Sequence, residues 1–367
     1  MVKAVTIAAP SAAIRASDAL FDAPAPSTVG RLARRGALWT FGLIVFRHAA
    51  SLAATMVLSR LLTPLEYGLV GMVATLTAFF QVFADLGLSW ATVQRRQITR
   101  TQVDNLFWAN AATGALLWGL CAAAGPALGR FYGRPELAPL AAAVGAGFAL
   151  SGLTVQPAAL LRRQMRLKTL SLVEAASHVC GPAVGIILAL GGYGVWALVA
   201  QSLCSQAVLL VLTLAAAGYR PSCPRLDPET ARMLAFGGYL AAYGVVNYFA
   251  RNLDNVIIGK YLGPEQLGFY SRAYSLMLLP SVLATGPLTG AVVPALSVLA
   301  REPLRLRQAY LKAVSAIALL SFPAAVGLAV TAPETTRLVY GPKWAPVAPL
   351  LVWLSIAGIF QPVHNTM

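Results

Sequence analysis

Two arginine residues stand inside long apolar segments of this chain. Arg47 lies about halfway along the first apolar segment, next to His48, and Arg251 lies well inside the seventh. An ionisable side chain in such surroundings is costly and normally faces a cavity or a partner. A guanidinium group donates a planar pair of hydrogen bonds to phosphate oxygens, so two arginines facing one cavity would suit a phosphorylated ligand.

The two arginines differ in the partners that their own helices offer. Asp254 follows Arg251 by about one helical turn and on the same face, so a structural ion pair and a ligand contact both stay open for Arg251. Arg47 has no acidic residue within a turn, which favours a cavity role. His48 faces another side of the helix and is interpreted as a packing or interhelical hydrogen-bonding residue.

Two acidic residues lie near the ends of other apolar segments. Asp85 stands toward the end of the second segment, before a basic loop, and a gate or an end-of-helix ion pair is favoured over a ligand contact. Glu174 stands at the start of the fifth segment. It could bind a coupling proton or cation, but we favour an ion pair with Arg166 or Lys168.

Two glutamine–proline pairs occupy similar places, Gln156-Pro157 near the end of the fourth segment and Gln361-Pro362 near the end of the tenth. A proline frees a backbone carbonyl in a helix, and transporter sites often form at such breaks. Gln156 is therefore a further candidate for ligand contact.

The composition indicates a membrane protein. Apolar residues make up 58% of the chain and charged residues 11%, against roughly 25% charged in a typical soluble domain. The chain has 28 Lys and Arg against 13 Asp and Glu, but these basic residues punctuate apolar segments, so membrane topology explains them better than nucleic-acid binding. Basic loops also suit contact with anionic lipid headgroups.

The apolar pattern predicts an all-α integral membrane protein with about ten transmembrane helices. The predicted spans are residues 36–58, 67–92, 105–125, 137–161, 170–190, 194–217, 236–258, 268–298, 309–332 and 345–364. Basic residues concentrate in the N-terminal tail and in the loops after even-numbered spans, which predicts a cytoplasmic N-terminus. Residues 1–30 are predicted to form a disordered cytoplasmic tail.

Sequence signals for catalysis or for a bound cofactor are absent. The four cysteines have neither metal-type spacing nor a disulfide framework, so no metal site and no cofactor are predicted. The chain has no Asp-x-Asp pair and no P-loop, because Gly259-Lys260 is followed by a tyrosine. These observations argue against an enzyme.

A short motif occurs twice, once in each half of the chain. Ser59–Gly68 reappears as Gly259–Gly268, with a basic residue, a leucine, a proline and a glycine in the same register. Repeats of this kind are typical of transporters built from two similar lobes. We therefore predict a pseudo-symmetric fold with a six-helix N-terminal lobe, residues 31–220, and a C-terminal lobe of about four helices, residues 221–367. The second lobe is incomplete by this symmetry, so we expect the sequence to be truncated.

Several segments resemble one family, the bacterial polysaccharide exporters of the multidrug/oligosaccharidyl-lipid/polysaccharide flippase superfamily. The segments that carry the resemblance are Leu58–Val70, Asp85–Leu88 with Val93–Arg96, Leu161–Lys168 and Leu253–Gly263. The likeness extends over roughly residues 30 to 367, and the order and spacing of the segments are more specific than any one of them.

The resemblance implies a function in the bacterial cytoplasmic (inner) membrane. It implies a flippase that moves an undecaprenyl-diphosphate-linked oligosaccharide, the repeat unit of O-antigen lipopolysaccharide, capsule or exopolysaccharide, by alternating access. Polysaccharide polymerases and glycosyltransferases would be its partners. Arg47 and Arg251 would then suit the diphosphate. A cation-coupled drug or metabolite antiporter of the same superfamily is the alternative, and a polysaccharide-assembly enzyme is a weaker one.

The seventh span carries a polar stripe at helical spacing. Its members are Asn247, Arg251, Asp254 and Asn255. Hydrogen bonding between helices is one interpretation. We favour a wall that contacts the sugars of the substrate, because sugar hydroxyls need many donors and acceptors, with Asp254 also a candidate for gating or coupling.

Overall fold

The computed structural model describes residues 26–84, 92, 98–224, 238–298, 302–359 and 361 of the 367-residue chain. Every regular element in these residues is a helix. In chain order they are α1 (Pro26–Leu61), α2 (Pro64–Gln81), α3 (Arg100–Tyr132), α4 (Leu137–Arg163), α5 (Leu167–Leu190), α6 (Val195–Ala217), α7 (Gly238–Tyr261), α8 (Gly263–Val298), α9 (Pro303–Val330), α10 (Ala332–Val339), a 3-10 turn (Pro342–Trp344) and α11 (Val347–Gly358). The all-α class predicted from the sequence is confirmed.

The predicted spans overlap α1–α9 and α11, but α2 ends at Gln81 and α11 at Gly358, before the predicted ends at residues 92 and 364. Five of the described helices, α3 to α6 and Leu304–Val330 of α9, are long and apolar enough by length and composition to cross a membrane. The total number of crossings stays a prediction. Two other details differ from the sequence prediction: α1 already begins at Pro26, inside the predicted tail, and α10 with the 3-10 turn occupies a segment predicted to be a loop.

Local sequence signals fix several helix ends. At the start of α3, the Thr99 side chain accepts from the Gln102 backbone N–H while the Gln102 side chain accepts from the Thr99 backbone N–H, which forms a capping box. Gly133 ends the same helix with a positive φ of 70°. Glycines also form the turn between α5 and α6, where Gly192 and Gly194 have positive φ angles of 77° and 54°.

Packing divides the chain into two compact units. The first contains the residues up to Ser51, Leu76–Val184 and Val199–Leu253, and the second contains Leu52–Thr75, Gly185–Leu198 and the chain from Asp254 onwards. The lobes predicted from the repeat, residues 31–220 and 221–367, stay a prediction.

Small residues let α3 and α4 approach closely in the first unit. A Cβ atom on Gly114 would lie 2.4 Å from the Phe148 carbonyl oxygen, and one on Gly152 would lie 2.4 Å from the Asn110 carbonyl oxygen. Helices in a membrane gain little from apolar burial against each other, so such close backbone packing is a main source of their association.

The two copies of the repeated motif contact each other within the second unit. In both copies the proline stands at the start of a helix, Pro64 in α2 and Pro264 in α8. A Cβ atom on Gly68 would lie 1.6 Å from the Pro264 carbonyl oxygen, and one on Gly268 would lie 2.1 Å from the Pro64 carbonyl oxygen. This exchange is reciprocal, as in a contact between two copies related by a twofold axis.

Trp344 from the 3-10 turn packs beside both copies. Its fully buried ring meets Tyr67 at 5.3 Å and Phe269 at 5.9 Å between ring centroids, and these residues adjoin the two motif glycines. Its indole N–H donates to the Ser59 carbonyl at 2.8 Å, and Lys343 Nζ donates to the Arg60 carbonyl at 2.8 Å. The segment therefore satisfies carbonyl groups that the end of α1 leaves without helical partners.

Tyr340 holds the same segment to α8. Its hydroxyl donates to the Arg272 carbonyl at 3.1 Å. Burial raises the pKa of Tyr340 to about 12, so the hydroxyl keeps the proton that it donates at physiological pH.

Alanine at either motif glycine tests the reciprocal contact. Gly68→Ala and Gly268→Ala should each destabilise the detergent-solubilised protein by about 1–3 kcal/mol, because the added methyl group meets backbone that must shift. Thermal unfolding followed by tryptophan fluorescence gives the measurement. Gly327→Ala is the matched control, since a Cβ there meets nothing within 4 Å, and it should leave the melting temperature unchanged or raise it. Equal melting temperatures for all three variants would contradict the contact.

Candidate functional site

An ion pair joins α1 to α5 in the first unit. The Nη1 atom of Arg47 lies 3.1 Å from Oε2 of Glu174 and donates a hydrogen bond to it. The two side chains keep 29% and 30% of their surface exposed. The pair therefore neutralises the charge of both groups while leaving each partly accessible.

The helical rise indicates how deep this pair lies. At 1.5 Å per residue, Arg47 stands about 21 Å before the end of α1 at Leu61, and Glu174 stands about 10 Å after the start of α5 at Leu167. With the predicted orientation, both distances place the pair about one third of the way across a 30 Å hydrocarbon layer from the cytoplasmic side. A lone charge at this depth would be costly, which explains the pairing.

The sequence-based pairing of Glu174 is corrected by this contact. Glu174 pairs with Arg47, and the Nη1 atom of Arg166 instead donates to the Ala216 carbonyl at 2.9 Å. Arg166 and Lys168 lie near Glu174 in sequence, whereas Arg47 reaches Glu174 from another helix.

Two cavities lie in the first unit, and Glu174 lines the first of them. A cavity of about 190 Å³ is lined by Ser151, Thr154, Val155, Ala158, Arg162, Leu170, Glu174, Gln206 and Leu209. A second cavity of about 260 Å³ is lined by Thr77, Gln81, Val144, Gly147, Phe148, Ser151, Ser202 and Gln206. Ser151 and Gln206 border both cavities, so polar groups continue from Glu174 toward α2.

These cavity residues were missed by sequence reasoning, although a signal was present. Ser202 and Gln206 lie one turn apart on α6, and the Gln206 amide donates to the Ser202 hydroxyl at 3.4 Å. Two polar residues at this spacing in an apolar helix indicate a polar face. The polar stripe of the seventh span shows the same helical spacing.

Two histidines surround the ion pair. His178 lies one turn beyond Glu174 on α5 and interacts electrostatically with Arg47 and with His48 of α1. Arg162 lines the same cavity as Glu174, so a second guanidinium stands near this carboxylate. Within the residues that the structure describes, no group of three His, Cys, Asp or Glu side chains is placed to hold a metal ion.

The polar stripe of α7 divides between the two units. In the first unit, Arg251 is exposed and its Nε donates to Asn247 Oδ1 at 3.2 Å. In the second unit, Asp254 accepts from the Tyr270 hydroxyl at 2.5 Å and from the Asn255 backbone N–H at 2.8 Å. The Asn255 side chain is half-buried.

Gln156 is fully buried in the first unit. It accepts a hydrogen bond of 2.8 Å from the Thr92 hydroxyl, while its own Nε2 atom has no hydrogen-bond partner. The Thr92 carbonyl accepts from Arg163 at 3.0 Å, which ties this network to the end of α4. Asp85, the other candidate of this region, lies outside the described residues.

A buried carboxylate in the first unit was not predicted from the sequence. Asp104 of α3 accepts from the Tyr219 hydroxyl at 2.5 Å and lies 3.9 Å from Arg100. Burial and the hydrogen bond to this carboxylate raise the pKa of Tyr219. The contact fastens the segment after α6 to the start of α3, and we interpret it as structural.

Comparison with known proteins identifies the family. The family model described as "Polysaccharide biosynthesis protein" matches residues 57–349, most of the chain. The lipopolysaccharide biosynthesis protein WzxC of Escherichia coli (strain K12) is 24% identical over 336 residues, which cover 90% of this chain and 68% of WzxC. The teichuronic acid biosynthesis protein TuaB of Bacillus subtilis (strain 168) is 28% identical over 340 residues, which cover 90% of this chain and 69% of TuaB.

A solved structure shows the same fold. The lipid II flippase MurJ, in an inward closed conformation, superposes with a TM-score of 0.69 at 11% identity, covering 90% of this chain and 74% of that chain. The match confirms the multi-pass membrane fold expected from the sequence, and the family model confirms the resemblance to polysaccharide exporters. The chain therefore belongs to the family of polysaccharide biosynthesis proteins.

Proposed function

We propose that this protein moves an undecaprenyl-diphosphate-linked oligosaccharide from the inner to the outer leaflet of the cytoplasmic membrane by alternating access. The oligosaccharide would be the repeat unit of an O antigen, a capsule or an exopolysaccharide. Glycosyltransferases would complete it before transport, and a polymerase would use it afterwards. The proposed activity is transport, with no covalent step assigned to this chain.

Family membership and fold support the proposal at a general level. The relatives take part in making lipopolysaccharide and teichuronic acid, and the fold is that of a flippase for another lipid-linked precursor. The observation that carries the specific proposal is the Arg47–Glu174 pair, in which a partly exposed guanidinium contacts a carboxylate that lines a cavity.

A diphosphate would compete with Glu174 for Arg47. Both offer oxygens to one planar guanidinium, and a bidentate contact with phosphate is a strong form of this interaction. Protonation of Glu174 would remove its charge and leave Arg47 available for the substrate. Proton uptake at Glu174 would thus favour binding of the substrate, and loss of that proton would favour its release. This competition is the proposed mechanism for the coupling role of Glu174.

The other candidate residues take secondary roles in this proposal. Arg251 and Asn247 are joined by a hydrogen bond and, with Asn255 and Gln156, supply further donors for the substrate. Asp254 and Asp85 stay candidates for gating or coupling.

Charge-removing variants of the ion pair test this competition. Arg47→Gln should weaken binding of undecaprenyl diphosphate to purified protein in nanodiscs by about tenfold, or about 1.4 kcal/mol, because a phosphate partner is lost. Glu174→Gln should strengthen binding by a similar factor, because the competitor is neutral. Arg130→Gln, at an exposed position near the end of α3, is the control and should bind like the parent. Equal weakening by both pair variants would indicate a purely structural ion pair.

Deletion of the gene in its source cell tests transport directly. We expect loss of surface polysaccharide together with accumulation of completed, diphosphate-linked precursor. Restoration by the parent gene and by Arg130→Gln, but not by Arg47→Gln, would tie the defect to the proposed site. Loss of polymer without completed precursor would favour an assembly enzyme. Unchanged polymer in a strain shown to carry no second exporter would favour the antiporter alternative.

Cysteine labelling tests the proposed orientation. Cys223, exposed after α6, should react with a membrane-impermeant maleimide only after the membrane is opened, because that segment is proposed to be cytoplasmic. Tyr193→Cys, in the exposed turn between α5 and α6, should react in intact cells when placed in a cysteine-free background. The reverse pattern would overturn the cytoplasmic N-terminus.

A further inference from the structure

A pair of tyrosines on α8 forms a polar aromatic surface within the second unit. Tyr270 and Tyr274 lie one turn apart, and their rings are stacked with centroids 6.2 Å apart and planes 27° from parallel. The Tyr270 hydroxyl donates to Asp254 Oδ2 at 2.5 Å, and the Gln361 amide donates to the Tyr274 hydroxyl at 3.4 Å. All four side chains are half-buried.

The spans predicted from the sequence for α7 and α8 would place this surface at membrane depth. Asp254 stands about 10 Å before the end of α7 at Tyr261, and Tyr270 stands about 10 Å after the start of α8 at Gly263. A carboxylate or an amide facing lipid at that depth would be costly, so polar residues there face protein or a water-filled space. The four side chains are not fully covered by protein, so part of this surface is accessible to a ligand.

The chemistry of this surface matches a sugar. A sugar ring has apolar C–H faces and an edge of hydroxyl groups. A tyrosine ring offers an apolar face with a polar tip, and carboxylate and amide groups accept and donate to hydroxyls. The Asp254 contact also fixes the orientation of Tyr270 before any ligand arrives.

The charge of the surface decides which part of the proposed substrate it fits. The carboxylate of Asp254 would repel a diphosphate, whereas it would accept hydrogen bonds from sugar hydroxyls. We propose that Tyr270, Tyr274, Asp254 and Gln361 form a sugar-binding subsite that contacts the oligosaccharide part of the lipid-linked substrate. This subsite rests on the proposed function and extends it to the recognition of the glycan.

Paired probes separate sugar recognition from binding of the lipid diphosphate. One probe is the undecaprenyl-diphosphate-linked glycan extracted from the source cell, and the other is undecaprenyl diphosphate without sugar. Parent protein in nanodiscs should bind the glycan-bearing probe more tightly. Tyr274→Leu should reduce this preference by about tenfold and leave the sugar-free probe unaffected, because both the aromatic face and the hydroxyl of the subsite are lost. Tyr274→Phe keeps that face and should retain most of the preference.

A matched control distinguishes the subsite from a structural role. Tyr261→Leu changes a tyrosine that is 79% exposed at the end of α7 and should leave both affinities unchanged. If Tyr274→Leu weakens both probes equally, the tyrosine pair serves packing and the subsite is wrong. If Tyr274→Leu keeps the full preference, the subsite is also wrong while the proposed function stands. If parent protein binds neither probe, the proposed function itself fails, and the subsite fails with it.

Discussion

The free-energy cost of an unsatisfied polar group in hydrocarbon constrains both the backbone and the polar side chains of this protein. It explains why every regular element in the described residues is a helix, since a helix satisfies its own backbone groups. It also explains why polar side chains inside the helices have partners on other helices, as Arg47 has in Glu174 and Asp254 has in Tyr270. The members of both pairs keep part of their side-chain surface exposed, so a ligand could exchange with one partner of each pair.

The sequence allowed the helical class and several boundaries to be predicted, because these depend on local composition. The glycine turn after Leu190 is an example, since its glycines adopt positive φ angles. The ion pair of Glu174 could not be predicted in this way. Its partner Arg47 is far away in sequence, and spacing rules compare only residues on one helix. The Asp104–Tyr219 contact was missed for the same reason.

Only part of the candidate site could be predicted from the sequence. Polar residues at helical spacing identified the stripe on α7, and the same rule applied to α6 would have found Ser202 and Gln206. Tyr270 and Tyr274 were harder to find, because tyrosine is common in apolar segments and their polar role depends on Asp254 and Gln361 from other elements. The spacing of residues along one helix does not show which other helix packs against it.

The reciprocal contact between the motif copies has a consequence for how this chain can change over evolutionary time. The absence of a side chain at Gly68 makes room for a carbonyl of the second copy, and Gly268 makes room for a carbonyl of the first. A larger residue at either glycine would therefore displace the backbone of the other copy, which is encoded in the opposite half of the gene. The two copies must diverge as a coupled pair, and chimaeras that combine halves from distant relatives should be judged first by whether these two surfaces still match.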